Sequence, residues 1–477
     1  MPAGGASEHS DVAQAQPAEP VVYSRGRTGW MLFLLATIYA NNYCDRSILG
    51  ILAQPIKVDL NITDTQIGLL TGLAFATFYA MFGYPIAHLA GKVGRVNVIT
   101  VCALLWSAMT ALCGTAVSYA QLTLFRFGVG IGESGLAAPG HSLISDYVAP
   151  AKRTSAIALF SIGVPVGSLI GSVAGGYIAQ HYGWRAAFLI VSIPGFLLAP
   201  LLRLTVKEPP RGNWDASRLA GVAPTKTPPL WEVVRKQFST ATYRHACIAV
   251  VMCNFAASGN AFYGAYFVRR FALDYTTVGL ILGLTSGVAS IVGTFIGGYL
   301  NDWLAKRSKR WCALLPTLAL LAAVPLYLWS YLQADWRPQV LIFCLATVLL
   351  GFTSPPFYAL TQNLMPGRMR ASGAAVMMFF INLIGLGMGP VCFGLVIDFV
   401  TTHLFQGYGF GEYFAVCGKG AAHVANPAIA QACHDSIAES TRWTLAGGFL
   451  IYLWASIHYF IASRTVAADL AEAERTN

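Results

Sequence analysis

Four charged residues stand inside long apolar stretches of this chain. Asp45 and Arg46 lie in "NNYCDRSILG" (41–50), and Arg126 and Glu133 in "RFGVGIGES" (126–134). A charge at the centre of a bilayer costs about 2.5–3.5 kcal/mol on insertion scales, so such residues are kept for what they bind or pair with. A guanidinium presents a fixed fork of donors that fits phosphate or carboxylate. Arg126 is therefore the expected anchor for an anionic headgroup. Asp45 is expected to pair with Arg126 while the site is empty. Burial favours the neutral acid and a nearby guanidinium favours the carboxylate, so filling Arg126 with substrate would let Asp45 take a proton. Arg46 points about 100° away from Asp45 around a helix and best serves a second acid, Glu133. The structural alternative is two ion pairs that only hold two helices together, but buried pairs are weak stabilisers.

These residues need helices long enough to carry them through a membrane. Of 477 residues, 56% are apolar and only 11% charged; a soluble domain carries about a quarter charged residues. That excludes an ordinary soluble enzyme, a disordered scaffold and a nucleic-acid binder. Twelve apolar segments of about 20 residues or more can be placed: 29–54, 66–89, 95–117, 119–143, 153–179, 184–203, 244–272, 276–302, 310–333, 338–364, 370–400 and 441–463. The net charge of +10 follows their ends. With twelve spans, 22 Lys and Arg fall on the side of the chain termini and 7 on the other, while Arg46 and Arg126 complete the 31. The asymmetry predicts an integral, multi-pass membrane protein with both termini in the cytosol, in the inner membrane if the cell is bacterial. Span 1 then runs outward and span 4 inward. Asp45 lies roughly 13 Å below the outer surface, between Arg126 at roughly 10 Å and Glu133 at roughly 21 Å.

The expected organisation is a disordered tail (1–28), a six-helix bundle (29–203), a cytosolic linker (204–243), a second six-helix bundle (244–463) with an outer loop at 401–440, and a short cytosolic tail (464–477). Within the linker, "TPPLWEVVRKQF" suits a short surface helix. The long outer loop is read as a cap or the cover of a lateral opening. Most of the ten cysteines fall in apolar spans and behave as small hydrophobes. Cys417 and Cys433 share the outer loop, where a disulfide can form.

Rival chemistries find little support. "GESGL" (132–136) departs from a nucleophile elbow at its last residue and lies in a membrane helix. "GVGIG" lacks the strand and turn of a dinucleotide site, and no phosphate-binding G-x-x-x-x-G-K-[ST] is present. "NIT" (61–63) fits a glycosylation acceptor only by pattern. His88 and His141 read as surface histidines near span ends. No cofactor, metal or catalytic group is expected, and the chain is not expected to be an enzyme.

The halves repeat. "AHLAGKVGRV" (87–96) after span 2 corresponds to "GYLNDWLAKR" (298–307) after span 8, and "VAPAKRTSA" (148–156) after span 4 to "LMPGRMRASG" (364–373) after span 10. Such repeats build transporters as two bundles around a midplane site. The first pair of loops resembles the G-x-L-x-D-R-x-G-R-R loop of the major facilitator superfamily. Arg126 with Gly130 resembles its fourth-helix motif, and "GVPVGSLIGSVAGG" (163–176) its glycine-rich fifth helix. Residues 41–50 and 126–134 are similar to the Spinster branch, whose members are described as sphingolipid and lysophospholipid transporters. The resemblance implies an all-α membrane protein of twelve transmembrane helices in two six-helix bundles, the major facilitator fold. It also implies cytosolic gate loops, here carried by Lys92, Arg95, Arg153, Asp302, Lys306 and Arg307. The loop's usual Asp is Gly91, although Asp302 stands at the second-half position, which puts the first-half part of the cytosolic latch in question.

The second half has no deep charge. Spans 7 and 10 offer Asn254, Ser258, Asn260, Tyr263 and Tyr266, and Thr353, Ser354, Phe357, Tyr358 and Thr361. A charged first half facing an aromatic second half suits an anion with an apolar tail. The expected substrate site is Arg126 and Glu133 with Asn254, Tyr263 and Tyr358, and the expected proton switch is Asp45 with Glu133. Asp45, Arg46 and Arg126 form the ion-pair network. The function expected is secondary transport of a lysophospholipid or sphingosine-phosphate-like lipid by alternating access, coupled to protons. The expected partners are that lipid, protons and the bilayer, with the protein a monomer and no nucleic acid bound. One alternative is a proton-coupled symporter or efflux pump for a small soluble organic anion or drug. Another is a lipid receptor that does not transport.

Overall fold

The structure, a computed structural model, describes residues 19–214, 229–365, 369–418 and 424–476, apart from a few side chains within the helices, that of Tyr358 among them. Every regular element among them is helical. The first half comprises α1 (Arg25–Leu60), α2 (Asp64–Val93), α3 (Arg95–Cys113), α4 (Tyr119–Glu133), α5 (Ala137–Tyr147), α6 (Pro150–Ser161) and α7 (Gly163–Thr205). A short α8 (Leu230–Ser239) precedes the second half. That half comprises α9 (Ala241–Phe271), α10 (Tyr275–Ala305), α11 (Trp311–Tyr331), α12 (Trp336–Gly351), α13 (Ser354–Asn363), α14 (Ser372–Gln406), α15 (Tyr413–Cys417), α16 (Pro427–Gly448) and α17 (Ile451–Thr476).

Nine helical stretches among the described residues are long and apolar enough to cross a membrane. The one at Ser155–Thr205 has 51 residues, more than twice what a hydrocarbon core of about 30 Å requires. It is two crossings, folded at Gly183 with φ 82° and ψ 167°, a conformation that favours a residue without a Cβ. Two further segments outside the nine, α1 and the α4–α5 pair, carry Asp45, Arg46, Arg126 and Glu133. Together they make twelve crossings. Large apolar side chains such as Leu197, Phe295, Leu341 and Phe399 are exposed on the outside of the bundles, as a lipid-facing surface requires.

Two boundaries differ from expectation. The segment 401–440 is largely helical among the described residues, because α14 continues to Gln406, α15 covers Tyr413–Cys417 and α16 starts at Pro427. The α16 start has a proper signal, Asn426 as cap with Pro427 behind it; Asn426 Oδ1 accepts from Ala428 N at 2.9 Å. Its polar first turns concealed it from a search for apolar length. The tail at 464–477 is likewise helical through Thr476, and its Asp469 accepts from Thr242 N at 2.9 Å. Most of the N-terminal tail lies outside the described residues, but its last part is docked. Val21 exchanges hydrogen bonds with Asn213 (2.9 and 2.8 Å), and the Tyr23 ring stacks on Tyr147 at 4.2 Å.

The surface helix expected in the linker is α8. It packs through buried Val233 and Gln237, and Gln237 Nε2 donates to Gly373 O at 2.7 Å. The two halves meet toward the side opposite the termini, here called the distal side, along seams of glycine. A Cβ on Gly68 would lie 2.3 Å from Pro390 O, one on Gly72 2.4 Å from Gly387 O, and one on Gly176 2.2 Å from Tyr275 O. Backbone contact this close needs residues without side chains.

Candidate functional site

The central charges sit where α1, α3 and α4 converge, with α2 alongside. Arg46 Nε and Glu133 Oε2 form an ion pair at 2.6 Å. The Arg46 guanidinium lies over three rings, Phe75 at 4.6 Å and Tyr43 and Tyr79 at 5.0 Å. Quadrupole attraction of this kind strengthens as water is excluded. Phe75 is shared, because the Arg126 guanidinium lies 5.4 Å from the same ring. Asp45, Arg126 and Glu133 are buried, at 0%, 2% and 1% exposure.

Asp45 and Arg126 do not make the expected ion pair. Asp45 Oδ2 instead accepts from Thr110 Oγ1 at 3.2 Å, and its Oδ1 has no partner. Among the described residues Arg126 forms no ion pair, and its Nε is also without a partner. The reason is angular. Asp45 turns into the first bundle toward α3, whereas Arg126 and Arg46 share the Phe75 face presented by α2. The two groups remain electrostatic neighbours, with Glu133 and Arg46 beside them.

The second-half candidates are more dispersed. Tyr263 is 7% exposed and faces inward, edge-on to Phe343 with ring centres 5.2 Å apart. It belongs to an aromatic core with Tyr327, Phe343, Phe449 and Tyr452. A 3-10 turn at Ser258–Phe262 shifts the helical phase of α9 just before it, so the face expected to line a cavity is packed instead. Asn254 is half-buried and donates back to Val250 O at 2.8 Å. The Tyr358 side chain lies outside the described residues.

Of the gate-loop residues, two are engaged, both with partners in the first half or the linker. Arg95 is paired with Asp146 and, at 2.7 Å, with Glu208, and donates to Ser142 O and Pro209 O. Arg153 donates to Ser145 O at 2.8 Å. Lys92, Asp302, Lys306 and Arg307 are exposed and form no ion pair among the described residues; Arg307 lies over the Trp303 ring at 4.0 Å. Beside Gly91, where an acid is usual, Arg211 of the linker donates to Ala90 O at 2.7 Å.

Sequence reasoning missed a charge cluster that bridges the halves at the distal side. Asp64 is 1% exposed and receives Lys57 at 2.5 Å and Arg269 at 2.6 Å. Arg269, from α9, also donates to Gln54 Oε1 at 2.8 Å and Thr441 Oγ1 at 2.9 Å. Asp398 of α14 accepts from Asp64 N, Thr65 N and Thr65 Oγ1 at 3.0, 2.7 and 2.6 Å, so the second half completes the capping of α2 that Thr63 and Gln66 begin. These residues stand at span ends, where charge is ordinary, and nothing in their spacing sets them apart. Above them a cavity of about 310 Å³ is lined by Lys57, Arg269, Tyr413, Cys417, Cys433 and His434. Cys417 and Cys433 are joined as a disulfide.

Comparison with known proteins agrees with this architecture. Residues 35–390 match the family model of the Major Facilitator Superfamily. An MFS-type efflux pump of Mycolicibacterium smegmatis is 31% identical over 375 residues, covering 78% of this chain and 85% of that protein. Protein spinster of Drosophila melanogaster is 29% identical over 259 residues, 53% of this chain and 42% of that one. A crystal structure of a bacterial homolog to the human lysosomal transporter Spinster, inward-facing and unoccupied, superposes with a TM-score of 0.83 at 30% identity, covering 94% of this chain and 99% of that one. The fold places this chain among transporters and not enzymes. With its apolar helices, seamed halves and Spinster-like form, the chain belongs to the major facilitator superfamily.

Proposed function

We propose that this transporter moves an amphipathic anion, a lysophospholipid or sphingosine-phosphate-like lipid, by alternating access, with proton movement coupled through Asp45. The observation that carries the reading is Arg126, a buried guanidinium with no ion pair among the described residues, set beside the Arg46–Glu133 pair. A buried cation without a counter-ion is costly and is relieved when an anion binds. Phosphate and carboxylate both suit its planar fork. Glu133 Oε1, also without a partner, is suited to a hydroxyl or ammonium donor next to that anion. The halves are sealed at the distal side by the Asp64–Arg269 bridge and the glycine seams, and alternation consists in opening that seal. Both termini are assigned to the cytosol, in the inner membrane if the cell is bacterial, from the 22-to-7 distribution of Lys and Arg. The disulfide on the distal side fits an oxidising compartment there. A monomer contains the whole cluster.

The relatives favour one rival. A hexuronate transporter of Bacillus subtilis is 24% identical over 395 residues, and with the efflux pump it supports a small soluble organic anion or drug on the same guanidinium. The test is flux of labelled lysophospholipid and of labelled hexuronate into proteoliposomes, with and without a pH gradient. Lysophospholipid flux that Arg126→Ala abolishes, in a protein that still purifies as a folded monomer, is the expected result. Hexuronate flux alone would move the substrate to the rival class. Specific lipid binding without flux would make the protein a receptor, and wild-type lipid flux in Arg126→Ala would remove the anchor.

A further inference from the structure

Two helices of the second half leave the α-helical pattern inside their spans. Gly283–Ala289 of α10 and Ile381–Met388 of α14 are π-helical, with backbone bonds that reach five residues instead of four. The sequence supplies a cause at both places. Thr285 Oγ1 donates to Ile281 O at 2.9 Å and Asn382 Nδ2 to Met378 O at 2.8 Å, so in each helix a side chain takes a carbonyl four residues back. In α14, Pro390 has no N–H with which to close the α-helical bond to Leu386 O. Interrupted ladders of this kind are where long helices bend.

The two segments hold matching places in the fold, because each lies where a seam between the halves ends. On one seam α10 follows α7, and a Cβ on Gly279 would stand 2.5 Å from Ser172 O. Inside the π segment the contact passes to a side chain: Gly283 and Gly287 both meet Leu169, where a Cβ would stand 2.9 and 3.1 Å away. On the other seam α14 follows α2, with Gly394 against Asp64 and Gly387 against Gly72. Gly387 already belongs to the π segment, and its Cβ would stand 2.9 Å from that of Ala76. Toward the terminal side the close glycine contacts turn to the second half itself. Gly293 and Gly297 of α10 meet Val348 and Phe352, and Gly373 of α14 meets Gln237 and Met365. Each helix thus has a distal arm seamed to the first half and a terminal-side arm packed on its own half. The π segment joins the two arms.

We propose that the π segments of α10 and α14 are a matched pair of hinges. About them the terminal-side arms, Ser290–Ala305 of α10 and 372–380 of α14, swing toward the first half while the distal arms stay seamed. The inference rests on the alternating-access reading above and adds an order to it. The terminal side closes over bound substrate before the distal seal opens, so an occluded state lies between the two open ones. Among the described residues the first half has no π-helical segment, so the bending falls to the second half.

Pulsed electron resonance on the full-length protein in nanodiscs tests this with two nitroxide pairs, all at exposed positions. Val93 with Trp303 reports the terminal side, and Val117 with Leu332 the distal side. With lysophosphatidic acid or glucuronate added, the terminal pair of the wild type should gain a shorter distance while the distal pair keeps its own. A π segment holds one residue more than the α-helical turns it replaces. Deletion of Ser286 or of Leu386 therefore straightens a hinge and leaves both arms in phase. Each deletion should abolish the shorter terminal distance, leave the distal pair unchanged and lower flux at least tenfold. For the case that a deletion impairs folding, Thr285→Val with Asn382→Leu keeps the chain length and removes the two side-chain bonds. It should reduce the shorter population at least threefold. Terminal narrowing in all these variants to the wild-type extent would overturn the hinges. So would a wild-type terminal pair that narrows only as the distal pair widens, which is the mark of rigid rocking. A wild type that shows neither flux nor a change of distance with either probe would instead overturn the transport reading on which the hinges depend.

Discussion

Arg269 is the only described residue of the second half that forms an ion pair with the first, so replacing it should change which side of the transporter is open. In Arg269→Leu the distal seal loses a charge-assisted bond to Asp64 at 2.6 Å and a bond to Gln54 at 2.8 Å, both across the halves. The first is worth about 1.5–3 kcal/mol and the second about 1 kcal/mol. The full penalty for stranding a buried charge does not apply, because Lys57 stays on Asp64 at 2.5 Å and keeps it neutralised. A net loss of about 3 kcal/mol, at about 1.4 kcal/mol per tenfold, shifts the equilibrium roughly 100-fold toward the state open at the distal side. In that state the lost bonds would have been replaced by water, so the shift falls almost wholly on the sealed form. Nitroxides at Val117 and Leu332, exposed at the distal ends of the two halves, report the change by pulsed electron resonance. A longer-distance population should grow in Arg269→Leu. Lys57→Met, which removes a contact internal to the first half, should move it far less. An unchanged distance distribution in Arg269→Leu would refute the assignment of this cluster as the seal.

Three further outcomes are expected. Gly72→Val places atoms where even a Cβ would lie 2.4 Å from Gly387 O, so the same spin-label pair should report distal opening without any change of charge. Asp45→Asn keeps the Thr110 contact but cannot exchange a proton, and flux measured from pH 5 to 8 should become flat. Cys417→Ser with Cys433→Ser opens a loop spanning 16 residues, worth about 3 kcal/mol of chain entropy; limited proteolysis between Gln406 and Pro427 should become much faster while the helical bundles remain intact.

What the sequence made legible was whatever violates its surroundings. Asp45, Arg46, Arg126 and Glu133 stand out because charge in an apolar run is expensive, and the 100° offset between Asp45 and Arg46 was enough to assign Arg46 to Glu133, as the 2.6 Å ion pair has it. Repeated loops and glycine-rich helices marked the halves. Tyr263 was misjudged because helical phase counted from the start of a span fails across a 3-10 turn, and α16 because capping signals were given less weight than apolar length. Asp64, Lys57, Arg269 and Asp398 are ordinary in type and place. The contacts of Asp64 with Arg269 and Asp398 join residues more than 200 positions apart, which no local pattern encodes. The docking of Val21 on Asn213 belongs to the same class.

Charge in this chain is arranged in three tiers, and their connectivity differs in a way that bears on the order of events. At the terminal side Arg95 joins Asp146 of the first half to Glu208 of the linker, and the linker residue Arg211 fills the neighbourhood of Gly91. In the centre Arg46 and Glu133 are again internal to the first half. Among the described residues a bridge crosses only at the distal side, through Arg269 to Asp64 and Asp398 to the start of α2. On the proposed reading, substrate binding at Arg126 loosens the distal bridge without breaking any central ion pair between the halves among the described residues. Asp45 and Lys57 lie on one helix, α1, twelve residues and about 18 Å apart. A change of charge at Asp45 that tilts α1 moves Lys57 and Gln54 together, and both belong to the distal cluster. Coupling carried by one continuous helix needs no chain of intermediate contacts, and on the proposed reading it makes the continuity of α1 from Arg25 to Leu60, across Pro55, a functional requirement as well as a span.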